Sequence, residues 1–145
     1  MSLKSLIDKT LSKQPLIKPS RTKKRNAQPE AIEQERVIKW ARDNENNYPF
    51  LWLLHSSLNG VKLSKNQAGR AKTQGMLSGV PDLFLPVPKN GYHGLFIEMK
   101  SEKGRLSTNQ TCFLSKVELL GYKTAVCYSA NEAIKTIENY YFVPI

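Results

Sequence analysis

The sequence predicts a mixed αβ domain, with a small mixed sheet flanked by helices and a helix at the C-terminal end. Three observations carry this. Leu95 to Lys100 alternates in the two-residue rhythm of a strand. Ser107-x-x-Gln110 and Ser129-x-x-Glu132 have the form of capping boxes, each opening a helix. Pro29 suits the first turn of another helix, whose stripe of Glu33, Val37, Trp40 and Ala41 falls at i, i+4, i+7 and i+8.

Taken in order, the first helix runs from Pro29 to about Asn44. Phe50 to Leu54 is an apolar, aromatic run and reads as a strand ending near His55. Asn59-Gly60 signals a turn. Ser64 to Gly75 reads as a short polar helix or an irregular basic loop. Gly79-Val80-Pro81 punctuates the chain before a strand over Leu83 to Val87, which prolines 86 and 88 keep short. A hairpin-like loop spans Lys89 to Gly94, and the Leu95–Lys100 strand follows. Lys103-Gly104-Arg105 is a turn, and the helix opened at Ser107 ends before Gly121. Lys123 to Tyr128 is the fourth strand, and the last helix fades near Tyr140. The order is helix, three strands, helix, strand, helix. No internal repeat interrupts it.

A chain of 145 residues, 40% hydrophobic and 23% charged, fits one domain able to bury its own core. Its net charge is +10, unevenly placed. Residues 1–29 hold eight basic groups and one acid, while residues 30–145 hold fourteen and eleven. Residues 1–28 are few in apolar groups and are expected to form a flexible basic tail ahead of a domain over 29–145. The tail is either a solubilising extension or an arm that binds phosphates. Inside the domain, residues 60–80 carry Lys62, Lys65, Arg70 and Lys72 with no acid, a one-signed segment suited to nucleic acid. Cys112 and Cys127 suggest neither a disulfide framework nor a zinc site, and both are expected to be small buried groups in a reduced setting. No stretch approaches the roughly 20 apolar residues of a membrane helix, and no secretory signal opens the chain. A soluble, cytoplasmic protein is expected.

The chemistry starts from strand alternation. Glu98 and Lys100 project from one face of a core-like strand, about 6.6 Å apart by strand rise. Alone they are an ordinary surface ion pair of little energetic worth. Asp82 changes that reading. It begins the strand just before, joined by a short loop, so the two strands should pair antiparallel and bring both carboxylates to one cation. Mg²⁺ takes hard oxygens, usually one or two carboxylates with water and substrate phosphate. The Met99 carbonyl is a further candidate ligand, and Lys100 could orient or deprotonate a water, or balance charge at phosphorus. Glu33, a charge on the core-facing stripe, is the preferred acid of the first helix. Glu30 lies roughly on the stripe but would also serve the helix dipole. Gln110 is explained by its capping box, yet opens the helix after the Glu98 strand and can equally reach the site. Trp40, Trp52, Phe113 and Tyr122 read as core, and His55 and His93 as structural or solvated.

These residues resemble a known family. Gly79-Val80-Pro81-Asp82-Leu83, then Gly94-Leu95-Phe96-Ile97-Glu98-Met99-Lys100, then Gly104-Arg105-Leu106-Ser107 and Gln110 look like the virus-type replication-repair nuclease (VRR-NUC) domain of the PD-(D/E)xK nucleases. The resemblance covers residues 30 to about 141. It implies a restriction-endonuclease-like αβββαβ core, Asp82 and Glu98 as ligands of Mg²⁺ or Mn²⁺, Lys100 as the catalytic lysine and Gln110 as support. It also implies an acid from the first helix, for which Glu33 is the better match. Asn59, Lys62, Lys65, Arg70, Lys72 and Arg105 are the expected DNA-binding residues. Standalone members are similar to Holliday junction resolvases, so the resemblance implies a homodimer cutting branched DNA, with a host-cytoplasm setting if the chain is phage-encoded. A flap, end or nicking nuclease, and a DNA-binding module without catalysis, are the alternatives.

Overall fold

Pro29 opens a sixteen-residue helix, α1 (Pro29–Asn44), and its missing N–H costs nothing there because first-turn donors lack helical partners. The computed structural model describes residues 29–144. The expected basic tail lies outside them. Val37 and Ala41 of α1 are fully buried.

The expected strand over Phe50 to Leu54 is instead a 3₁₀ helix, Pro49–Leu53. Pro49 fixes a helical φ in the first turn, and Leu51 and Leu54 donate to the carbonyls three residues back. The Arg42 guanidinium then collects the carbonyls of Leu51, Trp52 and Leu54, at 2.9, 3.2 and 2.6 Å. This tertiary contact satisfies acceptors that a strand would have paired. Only two residues follow as strand β1 (His55–Ser56). Trp52, read as core, is exposed on the outside of this turn, and Cys112 is exposed on the outer face of its helix.

The basic segment forms a helix, α2 (Lys65–Thr73), capped by Ser64, whose hydroxyl accepts from Gln67 while the Gln67 side chain accepts from the Ser64 amide. Strand β2 (Leu83–Leu85) and strand β3 (Leu95–Met99) follow as an antiparallel pair. The connection between them turns at Asn90 and Gly91, both with positive φ, which a tight hairpin turn requires. Helix α3 (Thr108–Leu119) crosses over to strand β4 (Lys123–Cys127), which pairs parallel with β3. Helix α4 (Ala130–Phe142) closes the fold.

The sheet order is β1-β2-β3-β4, antiparallel except for the last pair, and all five residues of β3 are buried. This is the expected αβββαβ core with a C-terminal helix. Leu83, Leu85, Leu95, Ile97 and Met99 meet Val37, Ala41, Ala133 and Ile137 in one core between the sheet and helices α1 and α4. The opposite face of β2 and β3 carries a stack of Phe84 on Phe96 with ring centres 4.2 Å apart, edged by Phe113 and Tyr122. Such aromatic packing seals that face against α3.

Candidate active site

The register of β2 and β3 places the acids. Leu83 pairs with Ile97, so Asp82, one step beyond the ladder, stands opposite Glu98 on the aromatic face. The Asp82 main chain is held by Ser57, whose amide donates to its carbonyl at 2.9 Å. Its side-chain Oδ2 accepts from the Met99 amide at 2.8 Å, so Asp82 extends the ladder with its carboxylate. A strand residue presents its N–H and C=O to the same neighbour. The Met99 carbonyl therefore faces the Asp82 side as well.

Glu98 is 1% exposed, the sole buried charged residue among those described. Its Oε1 accepts from the Lys100 ammonium at 2.6 Å and from the Gln110 amide nitrogen. Gln110 thus does both things its sequence position allows. Its oxygen accepts from the Ser107 amide to cap α3, and its nitrogen fixes Glu98. The second oxygen of Glu98, Oε2, is buried and has no hydrogen-bond partner. Burial, with the charge of Glu30 adding to it, pushes Asp82 above the usual carboxylate range, against the pull of the Met99 amide and the Lys100 charge. Burial also raises Glu98, which the Lys100 bond opposes and the charge of Asp82 reinforces. Burial works to lower Lys100, but its bond to Glu98 and the charges of Glu98, Glu30 and Asp82 outweigh it and hold the ammonium form.

The acid of the first helix at this site is Glu30, not Glu33. Glu30 Oε1 accepts from the Ser101 amide at 2.9 Å, just past β3, and the side chain lines the same cleft as Asp82, Glu98, Lys100 and Gln110. Glu33 points elsewhere. Its Oε2 accepts from the Ala130 amide at the start of α4, and its Oε1 pairs with Arg36 at 3.0 Å. The Ala130 bond is the main reason its carboxyl sits below the usual range. A signal for Glu30 was present in the spacing. At about 100° per residue, Glu30 lies roughly 20° from Val37 and Glu33 roughly 40°.

Asn59, expected to contact DNA, lines the cleft and also has a structural role. Its side-chain amide donates to the carbonyls of Leu77 and Val80, at 3.1 and 3.0 Å, and ties both ends of the basic segment together. Lys72 lines the cleft, whereas Lys62, Lys65, Arg70 and Arg105 stand exposed outside it. One contact had no sequence signal beyond a glycine. Gly79, at φ +89, packs so closely on α3 that a Cβ would lie 2.5 Å from the Asn109 carbonyl carbon. Asn109 also donates to Ser78 at 2.9 Å. These contacts fix the approach to Asp82 against the turn that carries Gln110.

The cleft, about 610 Å³, therefore brings together Glu30, Asp82, Glu98, Lys100 and Gln110. Its lining gathers three carboxylates against two ammonium groups, Lys72 and Lys100, in a chain of net charge +10. Among the described residues no three acid, histidine or cysteine side chains stand close enough to hold a metal unaided. Two carboxylates with a main-chain carbonyl are the donor set Mg²⁺ accepts when water and a phosphate complete its octahedron. The unpartnered Oε2 of Glu98 fits a cation at that point.

An αβββαβ core with Asp and Glu-x-Lys on paired strands defines a nuclease-type fold. The VRR-NUC domain model matches residues 24–131, and the chain belongs to the VRR-NUC family, a family of nucleases that act on DNA. A solved structure of a VRR-NUC domain protein aligns with a TM-score of 0.68 at 23% identity, covering 81% of this chain and 92% of that one. That likeness is one of fold. No curated protein matches the chain. No helix among the described residues is long and apolar enough to cross a membrane.

Proposed function

We propose that the domain over residues 29–145 is an endonuclease dependent on Mg²⁺ or Mn²⁺ that hydrolyses phosphodiester bonds in branched DNA, as a Holliday junction resolvase does. The observation that carries the reading is the buried, unpartnered Oε2 of Glu98, a residue that the strand register sets opposite Asp82. An orphaned carboxylate oxygen is costly, and a cation removes that cost. Asp82, Glu98 and the Met99 carbonyl would hold the cation. When bound, it supplies a Lewis acid and lowers the pKa of a water that can attack phosphorus.

The chain's own groups account for the remainder. Lys100, bonded to Glu98 at 2.6 Å, is placed beside the proposed cation to offset charge on the phosphorane oxygens. Gln110 fixes the Glu98 rotamer, and Glu30 orients the strand end through Ser101. The outward cations of α2, with Arg105, hold phosphates away from the cut. A second copy related by a two-fold axis would match the paired strands of a four-way junction. Leu119 and Leu120, 88% and 67% exposed at the end of α3, offer such a copy an apolar surface. Both cysteines are free, in keeping with a reducing cytoplasm.

The test incubates the protein with end-labelled junction, flap, duplex and single-stranded DNA, in Mg²⁺, Mn²⁺ or chelator. Symmetric paired nicks in the junction, absent in chelator, are expected. Cutting confined to flaps or ends removes the resolvase reading and keeps the nuclease. Binding without cutting in either metal removes the nuclease.

A further inference from the structure

The cleft that holds the acids also has apolar lining, which phosphate binding does not require. Val61, Leu63 and Met76 line it. Its rim is a tight turn closed by the Val61 amide on the Leu58 carbonyl at 3.1 Å, with Leu58 70% and Val61 52% exposed. A second cleft, about 510 Å³, lies beyond this turn. Gly60, Val61 and Asp82 border both clefts. The turn is thus a ridge between two grooves that converge on the acid. It is held firmly, because the Asn59 side chain anchors it to Leu77 and Val80. Lys62 and Lys65 follow it and are exposed.

We propose that the ridge Leu58–Val61 is a wedge that unstacks the base pair beside the scissile phosphate, and that the apolar wall behind it receives the freed nucleobase. The proposal rests on the nuclease reading for the position of the phosphate. The occupant follows from chemistry. Cations around an apolar tip match a ligand that is anionic along its backbone and apolar on the faces of its bases. Proteins that kink DNA insert aliphatic side chains at such points, and flipped bases are held between apolar groups. A cleft of about 610 Å³ lies within the roughly 300–1,000 Å³ of pockets that enclose groups of this size. The preference for branched DNA then has a source, since bases at a branch point are already poorly stacked and cost less to open.

The experiment uses the full chain carrying Asp82→Asn, so that strands stay intact while binding is read. Junctions of one sequence carry a single 2-aminopurine at successive positions about the branch. Binding should brighten the probe at one position, and adding Leu58→Ser and Val61→Ser should abolish the rise while phosphate-driven affinity changes little. Both positions are exposed, and an unchanged melting temperature confirms folding. In the chain with Asp82 intact, the same two substitutions should slow cutting of the junction about tenfold. If no position brightens, or the serine variant brightens equally, the wedge is refuted. Cutting without brightening sinks the wedge and leaves the nuclease. Brightening without cutting by the unaltered chain, in either metal, does the reverse.

Discussion

Lys100→Met should destabilise the protein strongly, and two conditions should rescue it. Glu98 is 1% exposed, and the Lys100 side chain that pairs with it is 10% exposed. Removing one partner of such a pair leaves an uncompensated charge, at a cost of about 3–5 kcal/mol. The lower end applies, because the Gln110 amide still donates to Glu98 and the cleft admits water. About 3 kcal/mol at roughly 4 °C per kcal/mol for a domain of this size predicts a drop near 12 °C at pH 8. The pH dependence follows from the sign of the shift. Burial already raises Glu98, and loss of the ammonium raises it further. The folded state then binds the proton more tightly than the unfolded chain, so stability falls as pH rises through the folded value and returns as pH is lowered. Melting followed by circular dichroism from pH 5 to 8 should show the variant converging on the parent toward acid. Mn²⁺ at a hundredfold excess over its dissociation constant should restore about 2.7 kcal/mol, if Asp82 and Glu98 hold it. A variant that melts within two degrees of the parent at pH 8, with no pH or metal dependence, would refute the buried-pair argument.

Three other substitutions separate roles that lie close together. Glu30→Gln should cut roughly ten- to a hundredfold more slowly in a nicking assay, as variants stripped of groups supporting a metal site do, with little change in melting. Glu33→Gln should cut normally but lose about 1–2 kcal/mol from the start of α4. Because Glu33 is lowered in the folded state, that contribution is present above its unfolded pKa and disappears as pH falls through the folded one, so denaturant midpoints of variant and parent should meet in acid. Gly79→Ala combines φ +89 with a Cβ 2.5 Å from Asn109, and about 3 kcal/mol should be lost by urea titration, with Gln110 drawn off Glu98. Replacing Lys62, Lys65, Arg70 and Lys72 by Gln should flatten log affinity against log salt by about 0.9 for each phosphate no longer neutralised.

The strand that carries Glu98 and Lys100 was the most legible part of the sequence, because alternation is fixed by the pleat and survives any tertiary context. The order of elements followed from the caps at Ser107 and Ser129 and from the prolines. The Ser129 signature formed only in half. Its hydroxyl accepts from Glu132, but the Glu132 carboxylate takes the Tyr128 amide instead. Phe50 to Leu54 differs from expectation because a short apolar run fits a strand or a buried turn equally, and Arg42, nine or more residues away, decides. The choice of Glu33 over Glu30 gave weight to the helix stripe but not to its centre. The structural role of Asn59 was not legible either. A polar side chain beside a cleft can serve the backbone as readily as a ligand, and the carbonyls it meets lie 18 and 21 residues on. The apolar wall had no sequence signature, since Val61, Leu63 and Met76 come together only once the segment folds back.

The placement of Glu98 on β3 has a consequence for breathing motions. This strand is sandwiched between β2 and β4 and closed off from solvent along its whole length. Its amides can exchange with deuterium only when the domain opens globally, so they should report the full unfolding free energy. The segment with α2 has no buried residue in its helix and should exchange orders of magnitude sooner. Glu98 thus rides on a slow-exchanging strand, while α2, proposed to hold phosphates, rides on a fast-exchanging segment. Under the proposed function, such a division would keep Glu98 in register while the surface beside it adapts to differently shaped DNA.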